Sequence, residues 1–162
     1  MQELDMNKAT CCFTGHREDK LRRLGMLVRM ELKKAIRQAV KDGYTTFITG
    51  MAYGVDIWAG EIVADLKKRN KDIRLIAAVP FDGFESGWDD EWKKRYHELL
   101  EKADEVHYIC DRYFRAAYQR RNEWMVDRSS RVIAVYNGEP GGTRNTIKYA
   151  EKHQVPVIML QG

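Results

Sequence analysis

Two glycines separate an apolar run from an amphipathic run near the middle of the chain. Residues Thr45 to Thr49 are β-branched or apolar, Gly50 and Gly54 frame the loop that follows, and Ile57 to Arg69 has helical spacing. A strand, a glycine loop and a helix in this order expose backbone N–H groups at the helix N-terminus, where the helix dipole favours an anion. The loop therefore predicts a site for a phosphorylated, nucleotide-like ligand.

Two further loops have the residue types that bind phosphate. After the first apolar run, Gly15 allows close backbone approach, and the side chains of Thr14, His16 and Arg17 can donate hydrogen bonds. Near the end of the chain, Gly141-Gly142-Thr143 opens another predicted helix, whose N–H groups can hold a second anionic group. Each segment is also compatible with a plain surface turn or a helix cap, but the ligand role is favoured.

Two features leave their roles open. Asp56 stands at the start of the second helix, where its carboxylate can cap the helix or accept a hydrogen bond from a ribose hydroxyl. The aromatic segment from Pro80 to Phe84 follows the third apolar run and can stack on a base or form a lid. The residues predicted to contact the ligand are Thr14, Gly15, His16, Arg17, Gly50, Met51, Ala52, Gly54, Asp56, Glu61, Pro80, Phe81, Asn122, Gly141, Gly142 and Thr143.

Several sharper motifs are absent from the sequence. It contains no G-x-G-x-x-G dinucleotide fingerprint, no glycine loop ending in G-K-[ST], and no G-x-S-x-G nucleophile elbow. The four histidines and three cysteines lack metal-ligand spacing, so we expect neither a metal site nor a bound cofactor.

The composition is that of an ordinary globular domain. The 162 residues are 44% hydrophobic and 32% charged, and the net charge of +4 suits an anionic ligand without requiring nucleic acid. No apolar run approaches the roughly 20 residues that span a bilayer, and Met1 to Asp5 does not resemble a secretion signal. Cys11 and Cys12 are adjacent and would point to opposite faces of a strand. We therefore expect a cytoplasmic protein with reduced thiols and no membrane partner.

These loops must be positioned by alternating strands and helices. Near-continuous apolar strands separated by helices predict a parallel sheet that is covered on both faces. We therefore expect one α/β domain over residues 1–162, a Rossmann-like three-layer sandwich with a mostly parallel sheet of about six strands. The predicted strands are 9–14, 45–49, 73–79, 105–109, 131–136 and 155–160, and the predicted helices are 19–42, 57–69, 88–102, 116–128 and 141–153. Ligands of such sheets bind beyond the carboxyl ends of the strands.

Five segments in this order resemble the YpsA-like family of the SLOG superfamily. They are Phe13-Thr14-Gly15-His16-Arg17, the stretch from Gly50 to Glu61, Val79-Pro80-Phe81, the stretch from Arg121 to Asp127, and Gly141-Gly142-Thr143. The superfamily also includes LOG-type phosphoribohydrolases and DNA-processing DprA proteins. The resemblance implies a Rossmann-like bacterial protein that binds nucleotides or nucleotide-derived ligands, with Gly54 and Glu61 as site residues.

The resemblance does not establish catalysis. LOG-type hydrolases carry a glutamate within a Gly-Gly-x-Gly-Thr-x-x-Glu signature, and Thr146 occupies that position here. Arg121 matches a second catalytic residue of those enzymes, and Glu61 or Asp56 would have to supply the missing carboxylate. Whether this chain is an enzyme stays open.

The residues and the resemblance together leave three functions open. Binding or sensing of a nucleotide is favoured, and hydrolysis of the N-glycosidic bond of a nucleotide derivative is the alternative. Binding of single-stranded DNA, as in DprA proteins, is the second alternative. It would use the cations and aromatic side chains of residues 112–121. A homo-oligomer is compatible with the resemblance.

Overall fold

A computed structural model describes residues 8–162, and within that range six strands form one sheet with five helices around it. The strands are β1 Thr10–Gly15, β2 Thr46–Thr49, β3 Arg74–Val79, β4 Glu105–Tyr108, β5 Arg131–Tyr136 and β6 Val157–Gln161. The helices are α1 Gly25–Lys41, α2 Val55–Lys67, α3 Asp90–Lys102, α4 Ala117–Asp127 and α5 Gly142–Lys152. The predicted α/β fold is confirmed. Residues 1–7 of the predicted domain, including Met1 to Asp5, lie outside the described range.

The strand order of the sheet is β4-β3-β2-β1-β5-β6, and every neighbouring pair is parallel. The chain therefore runs outward from β1 to β4 on one side, then returns across β1 to build β5 and β6 on the other. Cys12 shows this placement, since it is paired with Ile48 of β2 and with Val132 of β5. The direction of strand order reverses between β1 and β5, where a crevice forms at the carboxyl ends of open parallel sheets.

Two apolar cores cover the two faces of the sheet, which gives the predicted three layers. Helices α1, α2 and α3 pack over the face that carries Cys11 and Phe13, and α4 and α5 pack over the face that carries Cys12. The alternation of side chains along β1 sends Cys11 and Cys12 to opposite cores, as expected for a strand. Both thiols are free and fully buried.

The start of the first helix was predicted wrongly. In place of a helix from Asp19, a short 3-10 turn covers Glu18–Lys20, Leu21 is extended, and α1 begins only at Gly25. Leu24 is 70% exposed, although its spacing from Val28 would place both on the same buried face of a helix that started at Asp19. Contacts outside the segment hold its backbone, because Asn137 Nδ2 donates to the carbonyl of Lys20. The other predicted boundaries differ from the observed ones by at most two residues.

Candidate functional site

A cavity of about 640 Å³ opens at the carboxyl ends of β1 and β5, where strand order reverses. We call it the main cavity. Its size lies within the range of small-molecule sites. It is lined by Phe13, Thr14, Gly15, His16, Arg17, Lys20, Ala52, Asp56, Phe84, Tyr118, Arg121, Asn122, Asn137, Glu139, Pro140, Gly141, Gly142 and Thr143. Loops that are distant in sequence therefore meet at one site, as the strand-end rule predicts.

His16 joins the loop after β1 to the loop after β5. Its Nε2 accepts a hydrogen bond from the backbone N–H of Asn137 at 3.0 Å, and its ring stacks on Tyr136. Burial, followed by the charges of Arg22 and Lys20, lowers the pKa of the imidazole. His16 is therefore neutral at pH 7 with the proton on Nδ1, so Nε2 cannot donate to a phosphate.

The N-terminus of α5 forms one wall of the main cavity. Gly141 caps the helix, and within the described chain no side chain bonds to the N–H groups of the first turn. The first N–H groups of any α-helix lack partners inside the helix, and the dipole places partial positive charge there. Gly142 and Thr143 line the cavity beside Arg17 and Lys20, so this wall is suited to an anion.

A buried polar cluster, formed by Asp56, Arg121 and Asn122, also lines the main cavity. The guanidinium of Arg121 donates from Nε to Asn122 Oδ1 at 2.8 Å and from Nη1 to the carbonyl of Gly50. Burial lowers the pKa of Arg121, an effect that the charge of Asp56 opposes. Two charged side chains thus share a region from which water is largely excluded.

Asp56 is the unusual member of this cluster. Its Oδ2 accepts from the backbone N–H of Ala52 at 3.3 Å, while Oδ1 has no hydrogen-bond partner among residues 8–162. Burial raises the pKa of Asp56 to about 6, against the lowering effects of Arg121 and of the Ala52 N–H. Because Gly54 is the N-cap of α2 and Asp56 lies in the first turn, the N-cap alternative for Asp56 is wrong. The ribose contact stays a prediction.

Gly50 and Gly54 lie next to the Asp56 cluster, where neighbouring atoms leave no room for a Cβ. A Cβ on Gly50 would lie 2.9 Å from Asp56 Oδ2 and 3.0 Å from Arg121 Cζ. Gly54 has φ of +99°, and a Cβ there would lie 2.6 Å from the backbone nitrogen of Glu18. Gly54 therefore lets the start of α2 pack against the loop after β1, where Val55 N–H donates to the carbonyl of His16. The two glycines build the wall of the cavity without lining it.

The structure does not bring every predicted residue to the main cavity. Glu61 pairs with Arg95 of α3, with Arg95 Nε 3.0 Å from Glu61 Oε2, and lines a separate surface depression beside Trp58. Phe81 packs edge-on against Phe84 and lies behind the lining. Gly50, Met51, Gly54 and Pro80 are likewise outside the lining residues.

Sequence reasoning missed other lining residues. Asn137 directly follows β5, in the loop that the strand-end rule selects, but the predicted contact residues of that loop begin only at Gly141. Phe84 ends the segment whose base-stacking role the sequence leaves open, and Tyr118 belongs to the segment of the DNA-binding alternative. Neither is assigned to this cavity by the sequence, because their place depends on how the loop after β3 packs against α4. Lys20 and Glu139 also line the cavity.

Thr146 has a structural role. Its hydroxyl donates to the carbonyl of Gly142 at 2.8 Å, and the side chain is fully buried. It therefore cannot replace the glutamate that LOG-type hydrolases carry at this position of their signature.

Comparison with known proteins identifies the family of this chain. The model of the YpsA family, described as the YspA SLOG family, matches residues 11–161. The chain belongs to this family. An uncharacterized SPbeta prophage-derived protein of Bacillus subtilis strain 168, YoqJ, is 37% identical over 124 residues, 69% of this chain and 72% of the relative. A UPF0398 protein of Halalkalibacterium halodurans is 33% identical over 130 residues, 76% of this chain and 69% of the relative.

Solved structures of more distant proteins show the same fold. DNA processing protein A of Helicobacter pylori, studied for its single-stranded DNA binding mode, has a TM-score of 0.67 at 20% identity, covering 99% of this chain and 68% of that protein. The DprA protein of Streptococcus pneumoniae also has a TM-score of 0.67, at 18% identity, covering 99% of this chain and 52% of that one. At these sequence identities, the two similarities show only that the fold is shared.

Two kinds of feature are not found in the described part of the chain. Residues 8–162 contain no helix that could span a membrane. The same residues contain no group of three or more His, Cys, Asp or Glu side chains arranged to hold a metal ion.

Proposed function

We propose that this protein binds or senses a nucleotide, or a nucleotide-derived ligand, in the main cavity. One observation carries the proposal: the N-terminus of α5, whose first N–H groups bond to no side chain of residues 8–162, and the cations Arg17 and Lys20 line the same cavity as buried Asp56 and Asn122. The first set suits a phosphate, since backbone N–H groups and cationic side chains are both phosphate ligands. The second set suits the ribose, because a ribose hydroxyl can donate a hydrogen bond to the carboxylate of Asp56.

The test uses Gly142, where the structure has room for a side chain. A Cβ at this position would meet only Asn122 Nδ2 among the described atoms within 4 Å, at 3.9 Å, so Gly142→Glu places a carboxylate in the anion wall without a clash. Gly142→Gln has the same size without the charge and is the matched control. Glutamate near a helix N-terminus is favourable for the dipole, so we expect the free variant to remain folded.

Binding is measured by thermal shift and calorimetry with AMP, ADP and their guanine counterparts. A ligand at 100 times its Kd stabilises the native state by about 2.7 kcal/mol, which raises Tm by roughly 5 to 10 °C for a domain of this size. We expect Gly142→Glu to abolish the shift and Gly142→Gln to reduce it less. A panel without any shift, or a shift that survives Gly142→Glu unchanged, would contradict the proposal.

One observation favours a second candidate, hydrolysis of the N-glycosidic bond of a nucleotide derivative. Asp56 lines the main cavity, and burial raises the pKa of its carboxyl to about 6. A group with such a pKa can exchange a proton near neutral pH. In this mechanism Asp56 would be the acid or base, and Glu61 would take no part because it pairs with Arg95 elsewhere.

A further inference from the structure

A second cavity of about 510 Å³ adjoins the main cavity. We call it the aromatic cleft. The two cavities have Arg17, Phe84 and Tyr118 in common. The aromatic cleft is lined by Arg17, Glu18, Asp19, Tyr53, Phe84, Gly87, Trp88, Asp89, Trp92 and Tyr118.

The aromatic cleft differs chemically from the main cavity. Its walls carry a packed group of rings, with the centroid of Trp88 5.3 Å from that of Tyr53 and 5.1 Å from that of Phe84. Its polar groups are mostly acidic: Glu18 and Asp19 are exposed, and Asp89 caps α3 through the N–H of Trp92. Carboxylates repel a phosphate, whereas aromatic side chains stack on a planar base and carboxylates accept hydrogen bonds from its amino groups.

Arg17 stands where the two cavities meet. Its guanidinium lies over the ring of Tyr53, 4.9 Å from the centroid, and the residue also lines the main cavity beside the loop after β5. A guanidinium in this place is suited to a phosphate group that links the two parts of a ligand occupying both cavities, because arginine binds phosphate oxygens through charge-assisted hydrogen bonds.

We propose that the two cavities form one site for a dinucleotide, two nucleosides joined through a pyrophosphate. One nucleoside occupies the main cavity, the pyrophosphate lies between Arg17 and the N-terminus of α5, and the second base stacks in the aromatic cleft. This inference rests on the proposed function and names its ligand class.

Gly87 provides a test that leaves the main cavity intact. The residue is exposed, its φ is not left-handed, and no described atom lies within 4 Å of an added Cβ. Gly87→Leu therefore fills part of the aromatic cleft without displacing protein atoms, and Gly87→Ala is the matched control. The probes are diadenosine diphosphate, ADP and ADP-ribose, which lacks the second base.

In calorimetry we expect diadenosine diphosphate to bind the wild-type protein about tenfold more tightly than ADP or ADP-ribose, because one stacked base raises affinity by about fivefold to a hundredfold. Gly87→Leu should remove the gain and leave the ADP affinity within about twofold, since the main cavity is unchanged. An independent readout is quenching of Trp88 and Trp92 emission by diadenosine diphosphate but not by ADP.

The outcomes separate the two proposals. If diadenosine diphosphate binds no more tightly than ADP, or if Gly87→Leu weakens both equally, the dinucleotide inference fails. Loss of ADP binding in Gly142→Glu would still support the main-cavity proposal. If ADP-ribose matches diadenosine diphosphate, the aromatic cleft does not recognise a base, and the inference also fails. If none of the three probes binds, the dinucleotide inference fails, and the main-cavity proposal fails as well when the guanine nucleotides of its panel give no shift.

Discussion

Replacing Asp56 by asparagine should stabilise the free protein at alkaline pH and change little in acid. Burial raises the pKa of this carboxyl to about 6 in the folded protein, above its ordinary value of about 3.9. The folded state therefore binds more protons than the unfolded state between these two values. Stability falls as pH rises through this window, because the buried group must become charged. Asparagine cannot ionise, so the stability of the variant is not lowered by charging a buried group.

The magnitude follows from the displacement of the pKa by about two units. At about 1.4 kcal/mol per unit, Asp56→Asn should raise the free energy of unfolding by about 3 kcal/mol at pH 8, relative to the wild type. The same relation gives about 1.5 kcal/mol at pH 5 and about 0.5 kcal/mol at pH 4. Attraction by Arg121 is already contained in the pKa, so it adds no separate contribution.

Urea unfolding at pH 4, 5, 6 and 8 measures the free energy of unfolding of Asp56→Asn and of the wild type. Ionisable groups that both proteins have contribute equally, so they cancel in the difference. Asp65→Asn is the control, because it makes the same substitution on the same helix at an exposed position. A difference between Asp56→Asn and wild type that is flat across this range, or that grows toward acid, would refute the reasoning. Asp56 would then be charged in the fold at low cost.

The remaining predictions concern the wall of the main cavity and its chemistry. Gly54→Ala should lower the free energy of unfolding by at least 2 kcal/mol more than Gly43→Ala, measured by urea unfolding. The two glycines have φ of +99° and +102°, but only Gly54 has backbone atoms where the Cβ would lie, so equal losses would remove the packing argument. If nucleoside monophosphates are hydrolysed, release of free base measured by chromatography should be lost in Asp56→Asn and retained in Glu61→Gln. The reverse pattern would return the catalytic role to Glu61.

Local pattern was enough to predict most of the fold. The apolar runs from Ile73 to Val79 and from Arg131 to Tyr136 are too continuous for a one-sided sheet, and both are strands covered on two faces. The segment from Glu18 to Leu24 shows where local pattern fails. Its leucines continue a helical spacing, yet contacts with Gly54 and Asn137 hold the backbone in another conformation.

The site was predicted only in part, for a similar reason. Position in the sequence already places five residues at the carboxyl edge of the sheet: Thr14 and Gly15 end β1, Arg17 follows it, and Gly142 and Thr143 open α5. Glu61 comes on the same helix as Asp56, but the direction of a helical side chain is set by 100° steps along the helix. Five residues further on, the side chain points to α3 and Arg95.

The sequence by itself determined the succession of strands and helices along the chain, the glycine loops at strand ends and membership of the YpsA family. These properties depend on residues that are close together in the chain, and their spacing can be read directly from the sequence. Only the tertiary structure decided that His16 is a neutral acceptor, that Asp56 is buried with a free oxygen, and that an aromatic cleft adjoins the main cavity. Desolvation and cavity shape depend on which distant segments pack together, and the linear spacing of residues does not contain that information.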